Sequence, residues 1–222
     1  MYLARKFAFC ALVPAAFVAS ATLRADDLNG VIQRLNAAAK DFHDTTASVE
    51  FDTVQTVPVP DTDVQTGTEY YERKGNTFQM AAHIHEHNNR PSAQTYIYSG
   101  GTLRISDTGK AADAKTYDQA SKYESYLMLG FGASGSDLEA KWDLKYLGSE
   151  TVDGVKTDKL ELVAKDPTVR KNIPKVTIWL DTAHAISIKQ VFDEGEGQSR
   201  ICHYTNIKVN QGLPGNAFSF DK

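Results

Sequence analysis

The chain has 222 residues, of which 41% are hydrophobic and 23% are charged, and its formal net charge is −4 at pH 7. This length and composition are ordinary for one globular domain with a single core, and they exclude an intrinsically disordered chain. The negative charge argues against nucleic acid as a partner, because binding to phosphates requires clustered lysine and arginine.

The first 25 residues have the pattern of a secretory signal peptide. Arg5 and Lys6 precede an apolar run over residues 7–18, and the small residues that follow predict cleavage after Ala21 or Ala25. The run has about 12 residues, whereas a membrane span needs about 20, so we do not expect a transmembrane anchor. The sequence therefore predicts an exported protein that is soluble in the periplasm after cleavage.

The two cysteines support this assignment. A lipidated N-terminus needs a cysteine directly after the apolar run, whereas Cys10 lies inside it, so no lipid anchor is expected. After cleavage Cys202 is the remaining thiol, so no intramolecular disulfide can form. Its alternation with Ile201 favours a half-buried structural thiol. Residues 26–222 are therefore predicted to form one domain that is held together by its core alone.

The first mature segment, residues 27–42, predicts an amphipathic helix. Its apolar residues recur at three- and four-residue spacing from Leu28 to Phe42, and Asp26 or Asp27 can cap its N-terminus. An apolar stripe of this length is expected to pack against a large surface.

Most of the remaining sequence predicts strands. Stretches such as residues 46–57 and 67–87 alternate polar and apolar side chains, and short polar turns join them, for example at Gly75, Gly100-Gly101 and Asp153-Gly154. We expect about ten or eleven strands with no helix between successive ones. This arrangement favours an antiparallel sheet over a parallel α/β fold.

Residues 118–142 interrupt the strands. The first half predicts a short helix that ends at Gly130, and the second half predicts another helix from Ser136 or Asp137 to about Trp142, with a glycine-rich hinge between them. The hinge matches G-x-G-x-x-G, but the preceding buried strand, the long helix and the βαβ repeat of a dinucleotide-binding site are missing. Ser136 stands where the G-x-S-x-G nucleophile elbow requires glycine, so a serine hydrolase is not supported.

Three of the six histidines occupy alternate positions in one predicted strand. His83, His85 and His87 should lie on one face, and the apolar residues between Phe78 and Ile84 on the other. Two imidazoles about 6.5 to 7 Å apart could share zinc or copper, but a catalytic site also needs a third ligand held in place and second-shell partners, and Glu86 points the wrong way. We therefore favour a solvated strand face and predict no cofactor, with metal binding as the weaker alternative.

Several short motifs follow one another in the last third of the chain. They are Trp179-Leu180-Asp181, the acidic and glycine-rich turn from Asp193 to Gly197, Asn206-Ile207 with Asn210, and Leu213-Pro214 with Phe218 and Phe220. In this order they resemble the C-terminal part of the periplasmic outer-membrane lipoprotein-carrier family, LolA and its relatives. The N-terminal half agrees in the order of a helix, a long strand and the segment "GTEYYERKGNTFQM". The resemblance covers essentially the whole mature chain.

The resemblance implies a mainly β, α+β fold, in which a curved and incomplete antiparallel β-barrel has helices covering its concave apolar face. Strand periodicity predicts the residues that would line an acyl-binding cavity on that face. They are Val49, Phe51, Phe78, Met80, Leu160, Leu162, Val176, Ile178, Leu180, Ile186, Ile188, Ile201, Ile207 and Val209. The lid and hinge candidates are Tyr126, Leu127, Leu129, Gly130, Phe131, Gly132 and Gly135. The alternative is that these residues form a dry core.

In the carrier family a basic residue just before the turn after the second strand holds the lid to the barrel. Spacing to Phe78 selects Lys74 for this role, and the local order of residues selects Arg73. Arginine suits the role better, because its fixed fork can bridge two lid carbonyls. Both residues are therefore latch candidates.

The resemblance implies a non-enzymatic monomeric carrier that accepts acylated lipoprotein or lipid from an inner-membrane donor and passes it to an outer-membrane acceptor, with transient membrane contact. Burial of about 14 methylenes is worth on the order of 10 kcal/mol, so release requires partial burial or an opening lid. One alternative is a sensor or regulatory binding module that recognises a peptide or lipid signal. A second is a metal-binding protein that uses His83, His85 and His87.

Overall fold

A computed structural model describes residues 27–75 and 77–221. The predicted signal peptide lies outside the described residues. In chain order the elements are α1 (Leu28–Lys40), β1 (Asp44–Gln55), β2 (Asp61–Lys74), β3 (Thr77–His87), β4 (Arg90–Pro91), β5 (Thr95–Ser99), β6 (Thr102–Ser106), β7 (Lys115–Tyr117), α2 (Glu124–Leu127), α3 (Gly135–Lys141), β8 (Trp142–Val152), β9 (Val155–Ala164), α4 (Pro167–Asn172), β10 (Lys175–Asp181), β11 (Ser187–Gly195) and β12 (Gln198–Val209).

The twelve strands form a single sheet in the order β7-β6-β5-β3-β2-β1-β12-β11-β10-β9-β8, with β4 paired to β3 outside this path. All the strand pairings are antiparallel. Within the described residues the edge strands β7 and β8 do not pair with each other, so the barrel is open. The predicted fold class is confirmed. β4 and β7 have two and three residues, which is too short for a periodic pattern.

Helices α1, α3 and α4 begin where side chains satisfy free backbone N–H groups. Asp27 caps α1 by accepting a hydrogen bond from the Gly30 N–H at 2.9 Å. Ser134 and Asp137 form a capping box at α3. The helix expected up to Gly130 is shorter than predicted, since α2 covers one turn and follows a 3₁₀ turn. None of the described helices is long and apolar enough to cross a bilayer.

The helices cover one face of the sheet, called the inner face below, and divide its core into two clusters. The first cluster joins Val31 and Leu35 of α1 to the inner side chains of β8, β9 and β10. The second cluster joins inner side chains of β1, β2, β3 and β12 to Phe131. Helix α1 therefore fills one half of the inner face, and the other half is covered by α2 and the residues that follow it.

A β-bulge in β12 corrects the predicted inner face of that strand. Asn206 and Ile207 together face Ala47 of β1, and Asn206 has a left-handed φ of +51°. The bulge reverses the alternation, so Cys202 and Tyr204 are buried on the inner face before it, and Ile207 packs inward after it. Because their neighbours point inward, Ile201 and His203 point outward. The inward placement predicted for Ile201 was therefore wrong.

Asn210 joins the end of β12 to the start of β1. Its backbone has a φ of +55°, which is costly for most residues but tolerated by asparagine. Its side-chain oxygen accepts from the His43 N–H at 2.8 Å, and its amide donates to the carbonyl of Asp41 at 2.6 Å. This explains physically why asparagine occupies the last position of the Asn206–Asn210 motif.

Replacing Asn210 with alanine should lower the free energy of unfolding by about 2 kcal/mol, because these hydrogen bonds are lost and alanine is strained at this φ. Urea unfolding followed by tryptophan fluorescence measures the change. Asn216→Ala, at an exposed asparagine of the same C-terminal segment, is the control and should change stability by less than about 0.5 kcal/mol. Equal losses in the two variants would contradict the capping role.

Candidate functional site

A cavity of about 500 Å³ lies between the inner face and the segment that contains α2. Tyr123, Tyr126, Leu127 and Ile173 form its roof. Its floor and walls are formed by Phe51, Thr53, Gln65, Glu69, Tyr71, Met80, Ala82, Tyr96, Leu103, Ile105, Gln190, Phe192, Glu194, Arg200, Cys202 and Tyr204. This volume and the largely aromatic and aliphatic lining are typical of pockets for small apolar ligands.

Two of the predicted cavity residues, Phe51 and Met80, line this cavity. Val49, Phe78, Ile186, Ile207 and Val209 pack in the second core cluster. Leu160, Leu162, Val176, Ile178 and Leu180 are buried in the first cluster. Ile188 is buried at the irregularity between β10 and β11. The residues of β9 and β10 are covered because α1, Leu129 and Trp142 fill the space above them.

The predicted lid residues divide between the roof and the core. Tyr126 and Leu127 contact the cavity. Leu129 and Phe131 are fully buried, in the first and second clusters respectively. The Phe131 ring stacks on Tyr71 with 4.1 Å between centroids, so this part of the segment is anchored in the core.

The glycines expected to form a hinge lie in close contact with the rest of the protein. A Cβ atom at Gly130 would be 2.2 Å from the Cβ of Ser187, and the φ of Gly130 is +73°. Cβ atoms at Gly132 and Gly135 would clash with Phe42 and Ile32. The structure therefore shows a tightly packed segment at these three positions, where glycine permits close backbone approach.

Hydrogen bonds also hold this segment to β11. The Ser187 N–H donates to the carbonyl of Gly130 at 3.0 Å. The buried Gln190 amide donates to the carbonyl of Leu129 at 2.6 Å. These contacts attach the segment directly beside the cavity floor.

The two latch candidates lie on opposite faces of β2. Lys74 has a side chain that is 73% exposed and pairs with Glu72 at 2.9 Å. Arg73 lines a second cavity of about 340 Å³ together with Glu124 and Asp137 of the covering segment. The geometry thus places Arg73, and not Lys74, opposite the helices.

Glu69 is a buried carboxyl group in the cavity floor that the sequence reasoning missed. It is 1% exposed, and it accepts a hydrogen bond from the Tyr71 hydroxyl. Burial raises the pKa of Glu69 to about 7, against the opposing effect of that hydrogen bond. The signal was available in "GTEYYERK", because strand alternation places Glu69, Tyr71 and Arg73 on the same face.

The cavity floor also contains Cys202 and Tyr204. Burial raises the pKa of the Cys202 thiol and of the Tyr204 hydroxyl well above their usual values, so both remain neutral near pH 7. At the opposite end of the cavity Thr53 and Arg200 are exposed, and Arg200 pairs with Glu194 at 3.0 Å. We call this open end the mouth.

The three histidines of β3 do not converge. His83 approaches the carbonyl of Ala217 at 2.8 Å, and His85 contacts the Thr68 hydroxyl at 3.2 Å. A register shift after His85 places His87 opposite Gln65, where it pairs with Asp63 at 2.6 Å. The prediction that all three share one face was therefore wrong. The described part of the chain contains no group of three histidine, cysteine or acidic residues placed to hold a metal ion.

No protein-family model and no curated protein sequence matches the chain. Among solved structures it is similar to MucB, at 14% identity over 88% of this chain and 63% of MucB, with a TM-score of 0.52. An uncharacterized conserved protein from Thermus thermophilus shares 9% identity over 86% of this chain and 91% of that one, with a TM-score of 0.51. The LolA superfamily protein NE2245 from Nitrosomonas europaea shares 13% identity over 88% of this chain and 98% of that one, with a TM-score of 0.42.

These similarities concern the fold. Together with the open antiparallel sheet and its covering helices, they confirm the fold predicted from the resemblance to the lipoprotein-carrier family. The chain spans about 63% of the MucB chain.

Gly130→Ala should destabilise the protein by roughly 2 to 5 kcal/mol, because it combines a left-handed backbone with a clash against Ser187. Gly154→Ala is the matched control, since Gly154 has a φ of +79° but no atom within 4 Å of an added Cβ. The control should lose about 1 to 2 kcal/mol. Urea unfolding compares the two variants, and similar losses would show that Gly130 is not tightly packed.

The raised pKa of Glu69 predicts a specific dependence of stability on pH. Between about pH 4.5 and pH 7 the folded state keeps the Glu69 proton that the unfolded state releases, so stability from this group falls as pH rises. The change is on the order of 3 kcal/mol over this interval. Glu69→Gln should remove it, whereas Glu72→Gln, on the outer face of the same strand, should retain it. Urea unfolding at several pH values measures the difference, and equal pH profiles for wild type and Glu69→Gln would contradict the assignment.

Proposed function

From the cavity and the fold that it shares with MucB, we propose that this protein is a non-enzymatic periplasmic carrier that binds acyl chains of lipids or lipoproteins. The observation that carries the proposal is the cavity of about 500 Å³, which has an apolar roof at Tyr126 and Leu127 and an open mouth beside Arg200. An acyl chain would lie against the aromatic walls with its polar head at the mouth. The predicted signal peptide supports a role in the periplasm.

The size of the cavity suits reversible binding. At about 0.8 kcal/mol per buried methylene, ten methylenes contribute about 8 kcal/mol before the costs of association are subtracted. This gross value sets a lower bound of about 1 μM on the dissociation constant, and the costs of association raise it. A chain that is partly buried can therefore leave for an acceptor that buries it more completely. Donor and acceptor proteins in the inner and outer membranes are the partners implied by this proposal.

We propose that the acyl chain of the ligand enters the cavity through the mouth. The segment from Leu129 to Gly132 is held to β11 and packed in both core clusters, so large movement there would break buried contacts. The residues at the mouth, Thr53 and Arg200, are already exposed. Arg73 lies beside the covering segment and could hold it in place, which is the latch role expected from the family.

A second candidate is a binding module that recognises a protein partner or a lipid signal. The observation that favours it is the similarity to the complex structure of Pseudomonas aeruginosa MucA/MucB, in which MucB is bound to another protein. The chain shares 14% identity with that structure over 88% of this chain, with a TM-score of 0.50. Recovery of a membrane-bound regulator with the full chain, in the absence of bound lipid, would favour this function over the carrier.

Filling the cavity tests the carrier function. Ala82 is 2% exposed and lines the cavity, so Ala82→Phe should occupy the space and weaken binding of a fluorescent fatty acid at least about tenfold. Ala140→Phe makes the same change at an exposed position of α3 and should leave binding unchanged. Native mass spectrometry of the protein purified from its own periplasm should show bound lipid. Absence of bound lipid together with absence of fatty-acid binding would overturn the proposal.

A further inference from the structure

The Glu69 carboxyl group faces the cavity with few of its hydrogen-bonding positions occupied. One oxygen accepts from Tyr71, and no other hydrogen bond to this carboxyl is present among the described residues. A carboxylate can accept about four hydrogen bonds, and a buried one is stable only when it is paired or protonated. The floor therefore holds an acceptor that a ligand could satisfy.

The neighbouring strands leave space in front of this carboxyl. Glu69 lies opposite Ala47 on β1 and opposite Ala82 on β3. Both neighbours are small, and Ala82 also lines the cavity. A ligand atom in the cavity can therefore approach Glu69 without displacing a large side chain from either adjacent strand.

The walls around this carboxyl suit a cation. Seven aromatic side chains line the cavity, and they come from β1, β2, β5, β11, β12 and the roof. The faces of aromatic rings attract organic cations, and the attraction is stronger where water is excluded. Burial of an ammonium group needs both this attraction and a paired carboxylate to offset its loss of hydration.

The charges of the cavity lining also favour a cationic ligand group. Within the described residues its lining contains two carboxyl groups, Glu69 and Glu194, and one cation, Arg200. Arg200 is paired with Glu194 at the mouth, which leaves Glu69 without a cationic partner in the lining. An anionic head group is therefore disfavoured at the floor and a cationic one is favoured.

We propose that the cavity floor is a binding site for a hydrophobic primary amine, whose ammonium group donates to Glu69 and whose hydrocarbon chain extends towards the mouth. Such a ligand binds with its head inward, the reverse of the orientation proposed for a fatty acid. This inference rests on the proposed function, because it requires the same cavity to accept a hydrocarbon chain. It adds to that function a preference for ligands whose leading end, bound at the cavity floor, is an ammonium group.

The ionisation of Glu69 supports the proposed amine site. Its pKa of about 7 makes the carboxylate available near neutral pH, and the groups that face it, Tyr71, Tyr204 and Cys202, have raised pKa values and stay neutral there. Amine binding favours the ionised carboxyl. Affinity for the amine should therefore rise as pH increases through about 7, whereas affinity for an uncharged chain should not.

Three probes with the same chain length test the site: dodecylamine, dodecanol and dodecanoate, each below its micelle concentration. Displacement of an uncharged fluorescent hydrophobic probe gives their affinities for the mature protein. Wild type should bind dodecylamine at least about tenfold more tightly than dodecanol at pH 8, which corresponds to about 1.4 kcal/mol. Glu69→Gln should abolish this preference and still bind dodecanol, which shows that the variant is folded.

Glu72→Gln is the matched control, because it removes a carboxylate from the outer face of the same strand, and it should keep the preference. Equal affinity of wild type for amine and alcohol, or a preference that persists in Glu69→Gln, would overturn the amine site while leaving the carrier function intact. If wild type binds none of the three probes, the proposed carrier function itself fails.

Discussion

The packing of Phe131 against Tyr71 and Tyr204 is the interaction on which the cavity depends. The Phe131 ring stacks on Tyr71 and meets Tyr204 edge to face at 4.8 Å. It fixes the covering segment on the inner face next to β2 and β12. The same contact defines the floor of the cavity, because Tyr71 also donates its hydroxyl hydrogen bond to Glu69. Support for the roof and the chemistry of the floor are thus physically linked.

This arrangement divides the inner face into two parts with different functions. Over β8, β9 and β10 the apolar side chains are covered by α1, Leu129 and Trp142, and they form a closed core. Over β1, β2, β3 and β12 the cover is one short helical turn, and space remains below it. The closed part provides stability, so the other part can keep a cavity despite the loss of packing contacts that a cavity entails.

Several features of the fold were predictable because they depend on short stretches of sequence. The stripe from Leu28 to Phe42 predicted α1, which the structure places at Leu28–Lys40 with the expected cap at Asp27. Alternating side chains and polar turns predicted an antiparallel sheet, and the resemblance to the lipoprotein-carrier family implied that the sheet is open. α4 was missed, although Asp166 followed by Pro167 is a helix-start signal, because six residues are too few to show a stripe.

The cavity was harder to predict because inward orientation does not distinguish a lining residue from a core residue. Strand alternation correctly places both Phe51 and Leu162 on the inner face, but Phe51 lines the cavity and Leu162 is covered by packed helices. Bulges at Asn206 and after His85 changed the direction of Ile201 and His87, and each depends on the register of a paired strand.

The sequence by itself determined most of the strands, the first helix and the antiparallel pairing of successive strands, because periodicity and turn chemistry act over neighbouring residues. Tertiary structure decided which half of the inner face is filled, which face each side chain takes beyond a bulge, and that Glu69 is buried in an apolar floor. These properties depend on contacts between residues far apart in the chain, such as Phe131 with Tyr71 or Ala47 with Asn206 and Ile207, and local patterns do not record such contacts.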